Sequence, residues 1–332
     1  MENITVLGAG SWGTALAVHL GSIGHDVRLW GRDEALMKEL AERRVNATYL
    51  PDVVLPSCVV PTSHLDQALA GAGVVVAAIP SHGLRAAIRT ASGLLEPGAI
   101  VVSATKGLEE GSLLRMSEVV RQELGASHPV VVLSGPSFAA EVARQRPTAV
   151  LAASHDPKAA ATVQQEFRGP SLRLYASDDV VGVEMGGALK NVIAIAAGVV
   201  ESLGLGHNAL AALITRGLVE ISRLAGVMGA QRETLAGLSG LGDLVLTCTG
   251  ALSRNRHVGL ELGKGRRLSD VLSGMKMVAE GVRTTHAALV LGQHRGVELP
   301  IIEKMDEVMT DGKEPRVAVR ELMLRPQRSE PE

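Results

Sequence analysis

Gly8-Ala9-Gly10-Ser11-Trp12-Gly13 directly follows the apolar run 4–7 and directly precedes a helix-spaced run at 14–20. That placement turns a common GxGxxG pattern into a fold assignment. Gly8 permits the tight turn, Gly10 lets the backbone approach a pyrophosphate, Gly13 lets helix and strand pack closely, and the helix N-terminus attracts the anion. A glycine-rich turn without a ligand is the bland alternative. Further Val/Ile-rich runs at 27–30, 74–79, 100–103 and 130–133 suit a parallel sheet covered on both faces, and the runs at 35–43 and 113–124 carry helical spacing. Consecutive βα units of this kind imply a Rossmann-type doubly wound α/β sheet.

From about residue 180 the pattern changes to Ala/Leu-rich helical runs at 187–203, 209–224 and 284–291, with almost no strand-like stretch. The expected organisation is a dinucleotide-binding domain at 1–180, an all-α substrate and catalytic domain at 181–324, and a disordered tail at 325–332, which is polar and holds two prolines. A length of 332 residues fits two domains of about 150 residues each.

Composition narrows the function classes. Lys+Arg total 33 against Asp+Glu 35, a net charge of −2, which is unlike a nucleic-acid coat. Hydrophobic residues at 46% with charged residues at 20% argue against disorder. The few aromatics, Trp12, Trp30, Tyr49, Phe138, Phe167 and Tyr175, offer no stacking platform for single strands. Cys58 and Cys248 are isolated, which disfavours structural zinc and a disulfide framework and suits a reducing cytoplasm. The histidines lack HxH or HExxH spacing, so no metal site is expected. Met1-Glu2-Asn3 lacks the basic start of a signal peptide, and the uncharged stretch 67–84 contains Gly71, Gly73 and Pro80 around a strand-like heart, so no membrane span is expected.

Several residues are candidates for chemistry. After the second strand, Arg32 is placed to pair with the extra phosphate of NADP and Asp33 to bind the ribose hydroxyls of NAD, unless both belong to a solvated turn. Lys106 lies just past the fourth strand-like run, where open α/β sheets gather ligands; the alternative is a solvated loop charge. The turn Ser134 to Ala139 offers backbone donors to an anion, or is simply a turn. Lys190, in a helix rich in Ala, Ile and Val, is either partly desolvated with a lowered pKa or snorkels to water. Asp243 sits in a Gly-rich apolar setting with Thr247 at i+4, on one face if helical; Asp243 as an N-cap is the alternative. Ser253-Arg254-Asn255-Arg256-His257 offers a guanidinium for a phosphate, or forms a solvated basic turn. Cys248 reads as a small buried filler.

Taken in order, GAGSWG, SATKGL, GPSFA, ALKN, GLGDLVLTCT and SRNR closely resemble the bacterial-type NAD(P)-dependent sn-glycerol-3-phosphate dehydrogenases, over about residues 1–320. The resemblance implies reversible reduction of dihydroxyacetone phosphate to glycerol 3-phosphate, a precursor of glycerophospholipids. It implies Lys190 as general acid/base with Asp243 beside it. Lys106, Gly135, Ser137, Asn191, Thr247, Ser253, Arg254 and Asn255 would hold substrate. NADP or NAD would be bound by Gly8, Gly10, Ser11, Trp12, Gly13, Arg32, Asp33, Tyr49, Lys106, Ala139, Arg254, Val278 and Glu280. Burial and Lys106 are expected to lower the Lys190 pKa and Asp243 to oppose them. A related hydroxy-acid or sugar-acid dehydrogenase is the nearest rival, although SRNR and GLGDLVLTCT argue against it. A non-catalytic NADH sensor would rest on GxGxxG alone. The Ala/Leu-rich helices are also expected to supply a homodimer interface.

Overall fold

The structure, a computed structural model, describes residues 3–275, 279–327 and 329. Its strands are β1 (Asn3–Leu7), β2 (Asp26–Trp30), β3 (Val45–Asn46), β4 (Leu50–Val54), β5 (Val59–Thr62), β6 (Val74–Ala77), β7 (Ile100–Ser103), β8 (Val130–Ser134), β9 (Thr148–Ala153) and β10 (Leu172–Ser177). One eight-stranded sheet runs β10-β9-β8-β7-β6-β1-β2-β5, while β3 and β4 form a separate antiparallel hairpin. Every neighbouring pair in the large sheet is parallel except β8 with β9. From β1 the chain moves outward through β2 to β5, then crosses back to β6. That reversal opens a crevice at the carboxyl ends of β1 and β6, where such sheets bind ligands. β6 and β8 are buried at every residue, as Val-rich strands covered on both faces must be.

The five strand-like runs anticipated from sequence are all strands. The third ends at Ala77, where the chain turns through Pro80 into the helix Ser81–Ala91. The run at 113–124 becomes helical only at Met116, because Leu113 takes a left-handed φ of 60° and Leu108 pairs with Arg115 across an antiparallel bridge. β5, β9 and β10 extend the sheet beyond what the sequence suggested.

After β10 no strand occurs among the described residues. The helix Val180–Ser202 is the axle of this half: it is long and apolar enough to cross a membrane, yet protein surrounds nearly all of it. The helix Arg254–Gly263 crosses it with backbones touching. A Cβ on Gly259 would stand 3.0 Å from Gly198 Cα and collide with the Ile195 carbonyl. Leu108, although it follows β7, is buried in the apolar core of the helical half, so the loop after β7 is anchored across both halves.

The crossing makes a contrast in sign testable. Gly259→Ala forces the two helices apart and is expected to lower stability by about 1–3 kcal/mol. Gly226→Ala, in the helix Gly206–Val227 with nothing within 4 Å of the added carbon, is expected to raise it by roughly 0.4–1 kcal/mol. Urea midpoints measure both, and a Gly259→Ala protein as stable as the parent contradicts the close crossing.

Candidate active site

Three elements meet at the carboxyl edge of the sheet. The loop after β7 carries Lys106, the helix Val180–Ser202 carries Lys190, and the helix Asp243–Thr249 begins with Asp243 directly after a wider π-turn at Leu238–Gly242. The Lys190 ammonium donates to Asp243 Oδ1 and, at 2.8 Å, to Thr247 Oγ1. Lys106 donates to the other carboxylate oxygen at 2.7 Å and to the Gly135 carbonyl at 3.0 Å. Thr247 closes the group by donating to the Asp243 carbonyl at 2.6 Å. The i+4 spacing thus places Asp243 and Thr247 on one helical face, and Asp243 serves the cluster rather than capping its helix.

Lys190 is 7% exposed and Asp243 1% exposed, so the pair lies almost wholly out of water. Burial pulls the Lys190 ammonium down from 10.5 to about 8; the Asp243 carboxylate opposes this and the Lys106 ammonium adds to it. Cys248, behind the cluster, is a buried thiol pushed up to about 12 and so stays neutral.

A second chain of bonds runs beside the first. Asn255 donates to Asn191 at 2.9 Å and accepts from the Gly281 N–H at 3.0 Å. Glu280, the first residue of the helix Glu280–Arg295, accepts from the Ser81 N–H and, at 2.6 Å, from the Ser81 hydroxyl. Ser253 caps the helix Arg254–Gly263 by accepting from the Arg256 N–H at 3.2 Å. Arg254 remains accessible to solvent, yet protein crowds it closely enough that burial lowers its pKa, an effect Glu280 opposes. Among the described residues it has no hydrogen-bond or ion-pair partner. Ser137 donates to the Gly135 carbonyl at 2.9 Å, and Ala139 opens the short helix Ala139–Ala143.

The GxGxxG turn lies at the end of β1. Gly8 has φ +113°, and a Cβ there would stand 2.5 Å from the Ala78 carbonyl, whereas one on Gly10 would meet nothing within 4 Å. Ser11 donates to the Tyr49 carbonyl at 2.8 Å, and the Trp12 indole N–H is buried with no partner among the described residues. Arg32 is exposed beyond β2; Asp33 caps the helix Glu34–Arg43, accepting from the Leu36 N–H at 3.1 Å. Arg32, Asp33 and Tyr49 make no hydrogen bond to the lysine cluster, and Val278 lies outside the described residues. Sequence reading missed Asn46, buried on the β3–β4 hairpin, which donates to the Ala9 carbonyl at 2.9 Å and braces the turn. It also missed Ser81, whose one signal is its place after β6 at the sheet's reversal.

Comparison with known proteins agrees along the whole chain. The family model of the NAD-dependent glycerol-3-phosphate dehydrogenase N-terminus matches residues 3–160, and that of the C-terminus matches 179–320. The chain belongs to this family. Glycerol-3-phosphate dehydrogenases [NAD(P)+] of Koribacter versatilis and Geobacter sulfurreducens are 52% and 51% identical to it, each over 99% of both chains. The crystal structure of the glycerol-3-phosphate dehydrogenase from Coxiella burnetii superposes with a TM-score of 0.94 at 40% identity, covering 98% of this chain and 99% of that one. A ketopantoate reductase from Ralstonia eutropha, at 15% identity and a TM-score of 0.60, shares the fold alone.

In this dehydrogenase Lys106→Met removes a like charge from beside Lys190 and leaves Asp243 to it alone. The Lys190 pKa is therefore expected to rise from about 8 toward 10.5. The NMR shift of the labelled Lys190 Cε carbon against pH measures it, and an unchanged or lower midpoint contradicts the coupling.

Proposed function

We propose that this chain catalyses the reversible NAD(P)H-dependent reduction of dihydroxyacetone phosphate to sn-glycerol 3-phosphate, supplying glycerophospholipid synthesis. The observation that carries this reading is the buried Lys190–Asp243–Lys106 cluster. A dinucleotide fits the turn beside it, since the backbone over Gly10 is open where Gly8 is packed tight. Gly8, Gly10, Ser11, Trp12 and Gly13 would hold the pyrophosphate end. Arg32, Asp33 and Tyr49 would hold the adenosine end, and Lys106, Ala139, Arg254 and Glu280 would approach the cofactor from the other side. When bound, the nicotinamide supplies a hydride to the middle carbon of the ketone.

The protein's own part is proton transfer and orientation. Negative charge grows on the ketone oxygen, and Lys190 donates a proton to it. In the reverse direction neutral Lys190 takes the alcohol proton, which a pKa of about 8 makes accessible. Asp243 and Thr247 engage two of the three ammonium N–H bonds, leaving the third for the substrate oxygen. Arg254, without a protein partner among the described residues, would hold the substrate phosphate with Ser253, Asn255, Gly135 and Ser137. Asn191 would position the sugar end through its bond to Asn255.

The functional division of the chain falls near residue 180, with the dinucleotide half before it and the proton-donating half after it. The free thiols of Cys58 and Cys248 support a reducing cytoplasm. A homodimer, whose interface the Ala/Leu-rich helices of the second half would supply, is rejected by a monomeric mass in solution.

Loss of NADPH absorbance on adding dihydroxyacetone phosphate tests the reaction, with NADH and unphosphorylated dihydroxyacetone beside it. Lys190→Ala is expected to lower kcat by about 100-fold or more while NADPH binding stays near wild type. Arg254→Ala is expected mainly to raise KM for the phosphorylated ketone. Cofactor binding without ketone-dependent oxidation overturns the assignment.

A further inference from the structure

Glu184 lies on the helix Val180–Ser202, one turn and more before Lys190, and is only 7% exposed. It touches none of the cluster and reaches instead into the other half of the molecule. The Ser117 N–H donates to its Oε1 at 2.7 Å, the Ser117 hydroxyl to its Oε2 at 2.7 Å, and the Arg115 guanidinium to its Oε2 at 2.6 Å. Ser117 stands in the first turn of the helix Met116–Leu124, so a carboxylate from one half completes the N-terminus of a helix in the other.

Arg115 also closes the loop that carries Lys106. It pairs with Leu108 across the antiparallel bridge, and the Glu109 N–H donates to the Leu114 carbonyl at 2.9 Å. Lys106 and Arg115 are thus the two ends of one short, cross-braced loop, while Glu184 and Lys190 share one rigid helix. Burial raises the Glu184 pKa against the pull of Arg115, and the buried guanidinium and the Ser117 N–H both rely on this carboxylate, so its loss leaves them short of an acceptor.

We propose that Glu184 is a positioning residue: through Arg115 and Ser117 it fixes the distance between Lys106, on the loop after β7, and Lys190. The inference rests on Lys190 as the proton donor. Lys190 faces Asp243 and Cys248 from the helix Asp243–Thr249 and Lys106 from that loop. If the loop recedes, repulsion from Lys106 weakens and Asp243 turns more fully to Lys190, so the ammonium becomes harder to deprotonate.

The test uses the full chain, with Glu184→Gln and Ser117→Ala compared with wild type by two readouts. One is the Lys190 Cε titration without ligands; the other is the pH profile of kcat for glycerol 3-phosphate oxidation. Glu184→Gln is expected to move the Lys190 midpoint and the rising limb of kcat upward from about 8, and to lower kcat about tenfold or more. Ser117→Ala, which keeps the Ser117 N–H bond, is expected to shift both in the same direction by less. It decides the question should Glu184→Gln not fold. Loss of stability with the midpoint and limb unmoved overturns the proposal and leaves Glu184 as a strut. A wild-type protein whose Lys190 titrates near 8 while its kcat shows no matching limb removes the proton-donor role of Lys190, and this inference with it.

Discussion

Two ammonium groups, Lys106 and Lys190, share the single buried carboxylate of Asp243. Taking these charges out of water costs several kcal/mol per ion, and one carboxylate cannot neutralise two cations. The cluster therefore keeps an excess of positive charge in a setting of low dielectric. That is a poor way to stabilise a fold and a good way to stabilise an oxygen that becomes negative as a bond to carbon forms, because the charge is already in place and needs no reorganisation.

The same constraint dictates how the halves meet. Lys106 comes from the sheet and Lys190 with Asp243 from the helices, so the site exists only when the two are docked. Leu108 in the helical core, Glu280 on Ser81 and Glu184 on Arg115 and Ser117 each tie the halves at a different point. An additional network of Arg85 with Glu109 and Glu123 braces the Lys106 loop from within its own half. The loop is thus held at several points, which is what a fixed separation between two like charges requires.

Local sequence made part of this legible. The Val-rich strands announce themselves because burial on both faces leaves no polar positions, and GxGxxG does so because few residue types fit its turn. β9, Thr-Ala-Val-Leu-Ala-Ala, does not, since alanine carries little strand preference and the strand runs against β8 where a βα reading expects parallel. β5 is short, contains Pro61 and forms the sheet's edge, the one place such a strand survives. At the site, Asp243 and Thr247 could be paired from helical spacing, whereas Lys190, 53 residues from Asp243, joins them only through the family motifs. Asn46 and Glu184 could not, because their partners lie 37 and 67 or more residues away and nothing local marks the meeting.

If the end of β2 holds the adenosine end of the cofactor, as proposed above, its residues suit both NAD and NADP. In a site committed to NAD, a carboxylate there is free to bind both ribose hydroxyls and repels a phosphate. Here the Asp33 carboxylate is engaged by the Leu36 N–H at the start of the helix Glu34–Arg43, which draws its charge toward the helix N-terminus. Arg32 beside it is exposed, with no partner among the described residues, and offers two parallel N–H bonds to a phosphate. Repulsion of the extra phosphate would thereby be weakened and a cation added, while the carboxylate oxygen not used by the cap would be left for a ribose hydroxyl. On that reading, cofactor selectivity at this exposed edge would be set by solvent-screened contacts of modest strength, in contrast to the buried lysine cluster where each charge is held by several partners.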